Sequence, residues 1–172
     1  MHKMLSAALL VFSLGICAGQ QATGNPLEPQ AFGTVYLIDN STQTLKALHG
    51  EPWKDELRGN HALAASKVFN YIRISGASSH FRIKAGEKVE FVFKMGDPEN
   101  VALYRLEQKK KERLAEYAVT DSQSTREQIP GLAVEFTRLG HSAYKLVPSA
   151  PLAPGEYMIY DGDQVFTFGV DQ

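Results

Sequence analysis

The sequence is poor in cysteine. Cys17 is the only one among 172 residues, so no intramolecular disulfide can form. Disulfide-rich secreted scaffolds are therefore excluded, and stability has to come from the burial of apolar side chains. A hydrophobic fraction of 44% in a chain of this length is sufficient for one ordinary core.

An excess of charge of one sign is also missing. The 18 lysine and arginine residues are balanced by 19 aspartate and glutamate residues, which leaves a formal net charge of −1. Nucleic-acid-binding proteins usually carry a basic excess or a basic stripe, so no nucleic-acid partner is expected. The lysine run at 109–111 is offset by Glu107, Glu112 and Glu116 and predicts a solvated charged tip.

Long apolar runs are confined to the N-terminus. Residues 5–16 carry no charge, follow the positive His2-Lys3 and precede the small-residue site Cys17-Ala18-Gly19. A membrane span needs about 20 apolar residues, so this pattern predicts a signal peptide over residues 1–19. We therefore expect a secreted or periplasmic protein whose mature body does not span the membrane. The alternative is lipid attachment at Cys17, although Ile16 departs from the small residue preferred at that position.

The common sequence signatures of enzymes are absent. The chain has no Gly-x-Ser-x-Gly elbow, no Gly-x-x-x-x-Gly-Lys phosphate loop and no Gly-x-Gly-x-x-Gly turn. His141 and Ser142 are residue types that a serine hydrolase uses, but Ser142 does not lie in a Gly-x-Ser-x-Gly motif. We predict a protein that is not an enzyme, with no catalytic residue and no cofactor.

Metal-ligand spacings are absent as well. The histidines, at positions 2, 49, 61, 80 and 141, show no close pair of the kind that binds zinc. Asp161 and Asp163, with Asp97 and Glu99, are candidates for calcium, which takes six to eight oxygens. No single loop supplies such a set, so no metal site is predicted.

Short alternating segments are abundant. Buried positions are predicted wherever apolar residues recur with period 2, and polar residues such as Glu90, Lys94 and Lys145 are predicted outside. The inward set is Phe81, Ile83, Val89, Phe91, Phe93, Met95, Val134, Phe136, Tyr144 and Leu146. Many short strands separated by turn residues predict an all-β sandwich or barrel of about seven to nine strands over residues 67–172.

The segments before residue 67 predict accessory structure. Residues 20–33 resemble a flexible leader in composition. Residues 34–48 form a predicted β-hairpin, as an appendage or an added edge. Residues 49–66 are predicted as a linker with one helical turn near 63–66, and residues 120–130 as a loop. Trp53 is expected to pack on the main body.

Residues 101–119 allow two interpretations. A helix has favourable propensities, but residues 107–113 contain no apolar side chain, so two turns would bury nothing. A hairpin with its tip at 109–112 suits the strands on both sides. We favour the hairpin.

The C-terminal hairpin carries a recognisable motif. Leu152-x-Pro154-Gly155-x-Tyr157, followed by the turn Asp161-Gly162, resembles the end of immunoglobulin-like and fibronectin-like domains. The resemblance implies an immunoglobulin-like β-sandwich with an N-terminal β-hairpin appendage. It also implies that the Tyr157 hydroxyl bonds back to the backbone of the preceding turn.

A second resemblance covers the whole mature chain. The segments Ile74-Ser75-Gly76-Ala77, Leu103-Tyr104-Arg105-Leu106 and Phe168-Gly169-Val170-Asp171 are similar to those of uncharacterised secreted β-sandwich proteins from acidobacteria and related bacteria. This resemblance implies an extracytoplasmic compartment and supplies no site residue.

These observations favour a non-catalytic extracytoplasmic module that binds another envelope or secreted protein. Its most distinctive surfaces are the charged tip at 107–116 and the 34–48 hairpin. The alternative is a carbohydrate-binding module, for which exposed aromatic or apolar side chains would be needed. The candidates for that role are Trp53, Tyr104, Tyr117, Met158 and Tyr160.

Overall fold

The computed structural model describes residues 26–60, 67–120 and 126–172. The predicted signal peptide and the predicted helical turn near 63–66 lie outside these ranges. Within them the chain forms strands joined by turns, one short 3-10 turn at Pro98–Asn100, and no α-helix. No helix of the described ranges has the length and hydropathy needed to cross a bilayer. The strands are β1 Val35–Asp39, β2 Thr44–Ala47, β3 Trp53–Asn60, β4 Lys67–Ser75, β5 Arg82–Lys84, β6 Phe91–Lys94, β7 Ala102–Gln108, β8 Glu112–Thr120, β9 Arg126–Gln128, β10 Val134–Arg138, β11 Ala143–Pro148, β12 Gly155–Tyr160 and β13 Val165–Asp171.

The strands form two sheets, which confirms the predicted all-β sandwich. The first sheet has the order β10-β11-β6-β1-β2. The second has the order β3-β4-β8-β7-β12-β13-β5, with β9 added beside β8. All pairs are antiparallel except β13 with β5.

The 34–48 hairpin is built into the first sheet. β1 pairs with β2 on one side and with β6 on the other, where Val35 lies opposite Phe93. Of these two strands, only β2 lies at an edge of the sheet. Val35 and Leu37 enter the core between the sheets because their strand lies inside the sheet.

The second sheet is buried on both faces along β12. Tyr157 and Ile159 enter the apolar cluster shared with the first sheet, which also contains Phe91 and Phe168. The alternate residues of the same strand, such as Met158, enter a second cluster. That cluster includes Ile72, Ile74, Tyr104, Leu106, Ala115, Tyr117, Ala118, Tyr160 and Val165. The sheet therefore curls so that β4 and β8 cover the second face of β12.

Residues 101–119 are two strands and not a helix, as favoured from the sequence. The charged tip is closed by a hydrogen bond from the Lys109 N–H to the Glu112 carbonyl, 2.8 Å long. β7 and β8 pair only near this tip, at Glu107 with Leu114 and at Gln108 with Arg113. Beyond the tip, β7 pairs with β12 and β8 pairs with β4. The two strands therefore diverge, and the second apolar cluster lies between them.

The prediction of a linker over 49–66 was wrong for β3. Residues 53–60 pair with β4 along their whole length, from Trp53 opposite Ile74 to Asn60 opposite Lys67. β3 is an edge strand in which half of the eight residues are charged, so it lacks the apolar period that reveals a strand. The predicted loop at 120–130 likewise contains β9, whose three residues are exposed and pair with β8.

Two of the predicted orientations were also wrong. Glu90 was expected outside but is buried, with its carboxylate 3.0 Å from the Lys88 ammonium and 3.1 Å from that of Lys145. Phe136 was expected inward, yet 40% of its surface is exposed, because β10 is the edge strand of its sheet. Its ring still touches Phe93 edge-on, with centroids 6.2 Å apart.

The C-terminal hairpin forms as predicted, with Tyr157 opposite Phe168. The Tyr157 hydroxyl donates a 2.6 Å hydrogen bond to the Ala153 carbonyl, four residues earlier. At the other end, Asp161 Oδ1 accepts from the backbone N–H groups of Asp163 and Gln164. The Tyr157 bond fixes the segment that crosses from the first sheet to the start of β12. The Asp161 bonds close the turn from β12 into β13.

Candidate functional site

The most concentrated group of polar side chains surrounds Arg113 on β8. This arginine is 1% exposed, which is unusual for a charged side chain. Its Nη2 lies 2.6 Å from Glu51 Oε2, and its Nη1 donates to the Ser79 and Thr167 hydroxyls at 2.6 and 3.0 Å. The carbonyls of residues 75 and 76 accept from Nη2 and Nε, both at 3.1 Å. All three guanidinium nitrogens therefore have partners.

A second branch continues from Ser79 to the buried carboxylate of Glu156. The Ser79 backbone N–H and hydroxyl donate to Glu156 Oε2 at 2.7 and 2.6 Å. Arg82 donates to Glu156 Oε1 and to Asp171 at the end of β13. The network thus connects β8, β12, β13, β5 and the segment before β3.

The pairing of Arg82 with Asp171 shifts the pKa of both groups. The hydrogen bond to Asp171 is the main cause that raises the pKa of Arg82, and the same bond lowers the pKa of Asp171. The Ser79 hydroxyl is engaged by both a carboxylate and a guanidinium. A nucleophilic hydroxyl needs a free base beside it, and this one donates to an ion-paired carboxylate instead. The arrangement is suited to cross-linking strands.

The aromatic residues considered for glycan binding do not form an exposed platform. Tyr104, Tyr117, Met158 and Tyr160, the candidates named for the carbohydrate-binding alternative, are all buried in the second cluster. Trp53 packs against Tyr160 with ring centroids 5.6 Å apart, as expected for a residue that packs on the body. Its indole N–H donates to the Asp163 carbonyl at 3.1 Å.

The two surfaces singled out from the sequence differ in character. Lys110 and Lys111 are exposed at the β7–β8 tip, while Lys109 lies 3.6 Å from Glu107. The 34–48 hairpin exposes β2, where Lys46 contacts Asp39 at 2.7 Å. Hydrogen bonds from Ser41 and an ion pair with Lys46 lower the pKa of Asp39, and the bond to Lys46 is the largest cause. Both surfaces are polar and internally paired.

An apolar surface was missed by the sequence prediction and lies at the edge strand β10. Leu132, two residues before β10, is 39% exposed and Phe136 on β10 is 40% exposed, although both are large apolar side chains. Among the described residues, β11 is the only strand that pairs with β10. The outer side of β10 thus offers unpaired backbone groups next to exposed apolar side chains.

The start of β10 is held by a close backbone crossing. The Leu132 N–H donates to the Leu103 carbonyl at 2.7 Å. A Cβ on Gly131 would lie 2.5 Å from that same carbonyl oxygen, so only glycine fits there. A cavity of about 240 Å³ lies beside this crossing, lined by Leu132, Ala133, Pro148, Leu152 and Tyr157 among others.

Within residues 26–60, 67–120 and 126–172, no three His, Cys, Asp or Glu side chains come together in a way that could hold a metal ion. Asp161 and Asp163 of the predicted turn are used in the turn itself. Asp97 accepts from the Glu99 backbone N–H in the 3-10 turn.

Comparisons with known proteins supply no relative. No protein-family model matches the chain, and neither the curated proteins nor the solved structures contain a match.

Proposed function

We propose that this chain is a non-catalytic extracytoplasmic β-sandwich that binds an extended segment of another envelope or secreted protein along the outer side of β10. The observation that carries this proposal is the exposed apolar side chain of Phe136 on β10, which is an edge strand among the described residues, with the exposed Leu132 two residues before the strand begins. The compartment follows from the predicted signal peptide.

Strand addition is the binding mode that suits this edge. A partner segment gains main-chain hydrogen bonds from the open side, and its alternate side chains gain apolar contacts. Edge strands that are not used for binding are usually protected by charge, proline or a covering element. β10 has Glu135 and Arg138 but leaves Phe136 exposed between them.

The buried aromatic residues favour a protein partner over a glycan. A sugar site would need aromatic rings on an accessible face. Three of the tyrosines considered for it are inside the second core.

Affinity capture from envelope extracts tests the proposal. The wild-type protein is compared with Phe136→Glu, which places a charge on the apolar edge. Phe32→Glu is the matched control, because Phe32 is an exposed phenylalanine outside β10. We expect a partner that is retained by the wild type and the control and lost with Phe136→Glu. Capture that is identical for all three proteins, or no capture at all, contradicts the proposal.

A glycan array provides the opposing test. Specific glycan binding that Trp53→Ala abolishes and Phe136→Glu leaves intact would replace the protein-binding function with the carbohydrate-binding one. Circular dichroism of each variant shows that the fold is retained.

A further inference from the structure

β3 is the longest edge strand of the second sheet, and nothing in the described ranges pairs with its outer side. It runs for eight residues, Trp53 to Asn60. Leu57 at its centre is a large apolar side chain and is 63% exposed. Its neighbours on both sides along the chain are charged. An open edge with an exposed leucine is a surface at which another strand can add.

The charges of β3 decide which strand fits. In an antiparallel ladder, the peptide groups of two opposite residues either both point toward the partner strand or both point away from it. This direction alternates along a strand, so a residue of one β3 can lie opposite only itself or a residue an even number of positions away in a second β3. The two-fold axis of a regular pairing therefore passes through one residue and not between two. Centring on any of the charged positions 54, 55, 56 or 58 places two identical charges directly opposite each other, which is unfavourable.

Centring on Leu57 gives the complementary register. The two copies of Leu57 then face each other and cover their exposed surfaces. Glu56 of each copy lies opposite Arg58 of the other, and Asp55 lies opposite Gly59. This register also pairs all of residues 54–60, so it uses nearly the whole strand.

The environment of Glu56 agrees with this pairing. Its Oε1 accepts a 2.9 Å hydrogen bond from Arg58 of the same chain. Its Oε2 is buried, no hydrogen-bond donor for it lies among the described residues, and Arg73 Nη1 is 3.6 Å away. A buried carboxylate oxygen that lacks a donor is unfavourable, and a second arginine next to this side chain would relieve it.

We propose that two copies of this chain associate through β3, in an antiparallel two-fold pairing centred on Leu57. The pairing joins the second sheets of both copies into one continuous sheet. It is separate from the partner edge at β10, which lies in the other sheet.

Sedimentation velocity of the purified protein over a wide range of concentrations tests the proposal. We expect a concentration-dependent dimer. Arg58→Glu converts two attractive cross-strand pairs into two repulsive ones, so the dissociation constant should rise by about tenfold or more. Leu57→Lys places two lysines at the two-fold axis and should have a similar effect. Lys84→Glu, at an exposed position of β5 on the opposite edge of the same sheet, is the control and should leave the dissociation constant unchanged.

A charge exchange separates pairing from general damage to the strand. Glu56→Arg alone should also weaken the dimer, and Glu56→Arg combined with Arg58→Glu should restore much of the lost affinity. Backbone amides at the outer edge of β3 should exchange hydrogen more slowly at high protein concentration. A protein that is monomeric at every concentration, or a dimer unaffected by Arg58→Glu and Leu57→Lys, overturns the proposal. A dimer that the charge exchange fails to restore overturns the Leu57-centred register.

Discussion

Replacing Arg113 with alanine should destabilise this protein more than the loss of any exposed ion pair. The guanidinium is 1% exposed and contacts Glu51, two hydroxyls and two backbone carbonyls. In the wild-type protein, Arg113 Nη1 lies 3.7 Å from Oε2 of the buried Glu156. Removal of the cation leaves this carboxylate with one fewer positive neighbour. It also removes the donor that the Ser75 and Gly76 carbonyls share.

The magnitude follows from these contacts. Breaking a buried ion pair by removing one partner costs about 3–5 kcal/mol. Domains of this kind are stable by about 5–15 kcal/mol, so Arg113→Ala should remove a large fraction of the free energy of unfolding. For a protein of this size the melting temperature should fall by roughly 6–20 °C.

Urea denaturation followed by circular dichroism measures the loss. Arg73→Ala is the matched control, because Arg73 lies on the adjacent strand β4 and pairs with Glu112 at 2.6 Å while 49% of its side chain is exposed. An exposed pair contributes about 0–1 kcal/mol, so this variant should stay near wild type. If Arg113→Ala costs no more than Arg73→Ala, the network does not hold the strands together and our account of it is wrong.

Three further outcomes are expected from the C-terminal hairpin. Tyr157→Phe removes the hydrogen bond to Ala153 but keeps the ring, so it should lower the free energy of unfolding by about 1 kcal/mol in urea denaturation; a change near zero would contradict the role of this bond. Asp161→Ala removes the side-chain acceptor of the turn and should cost about 1 kcal/mol, with Asp163→Ala, whose backbone N–H is the donor, as a milder control. Burial raises the pKa of Tyr160 to about 12 from an ordinary 10.0, so the folded state holds this proton more tightly than the unfolded state does. Stability should therefore be complete below about pH 10 and decline as the pH rises toward 12, and Tyr160→Phe should flatten this decline in urea titrations at several pH values.

The closing hairpin shows where local chemistry was sufficient for prediction. Asp161-Gly162 specifies a tight turn, and Pro154-Gly155 before Tyr157 specifies the crossing from one sheet to the other. Both depend on residues within a few positions of each other. The strands therefore followed from the sequence without tertiary information, and the hydroxyl bond was implied by the resemblance of this motif to the end of immunoglobulin-like domains.

The candidate binding edge could not be predicted in the same way. The period-2 pattern placed Phe136 inside, and the pattern is the same whether a strand is central or at an edge. Only the strand order makes β10 an edge and leaves its apolar side chain exposed. β3 was missed for the related reason that a charged edge strand has no apolar period to detect.

The sequence by itself determined the all-β class and the closing hairpin, because turn residues and alternating apolar residues act over short distances. The tertiary structure alone decided what each strand faces. β12 alternates between two cores because β4 and β8 curl over it, and Arg113 is buried because carboxylates distant in sequence converge on it. Such pairings depend on strand order, which no local pattern of residues encodes.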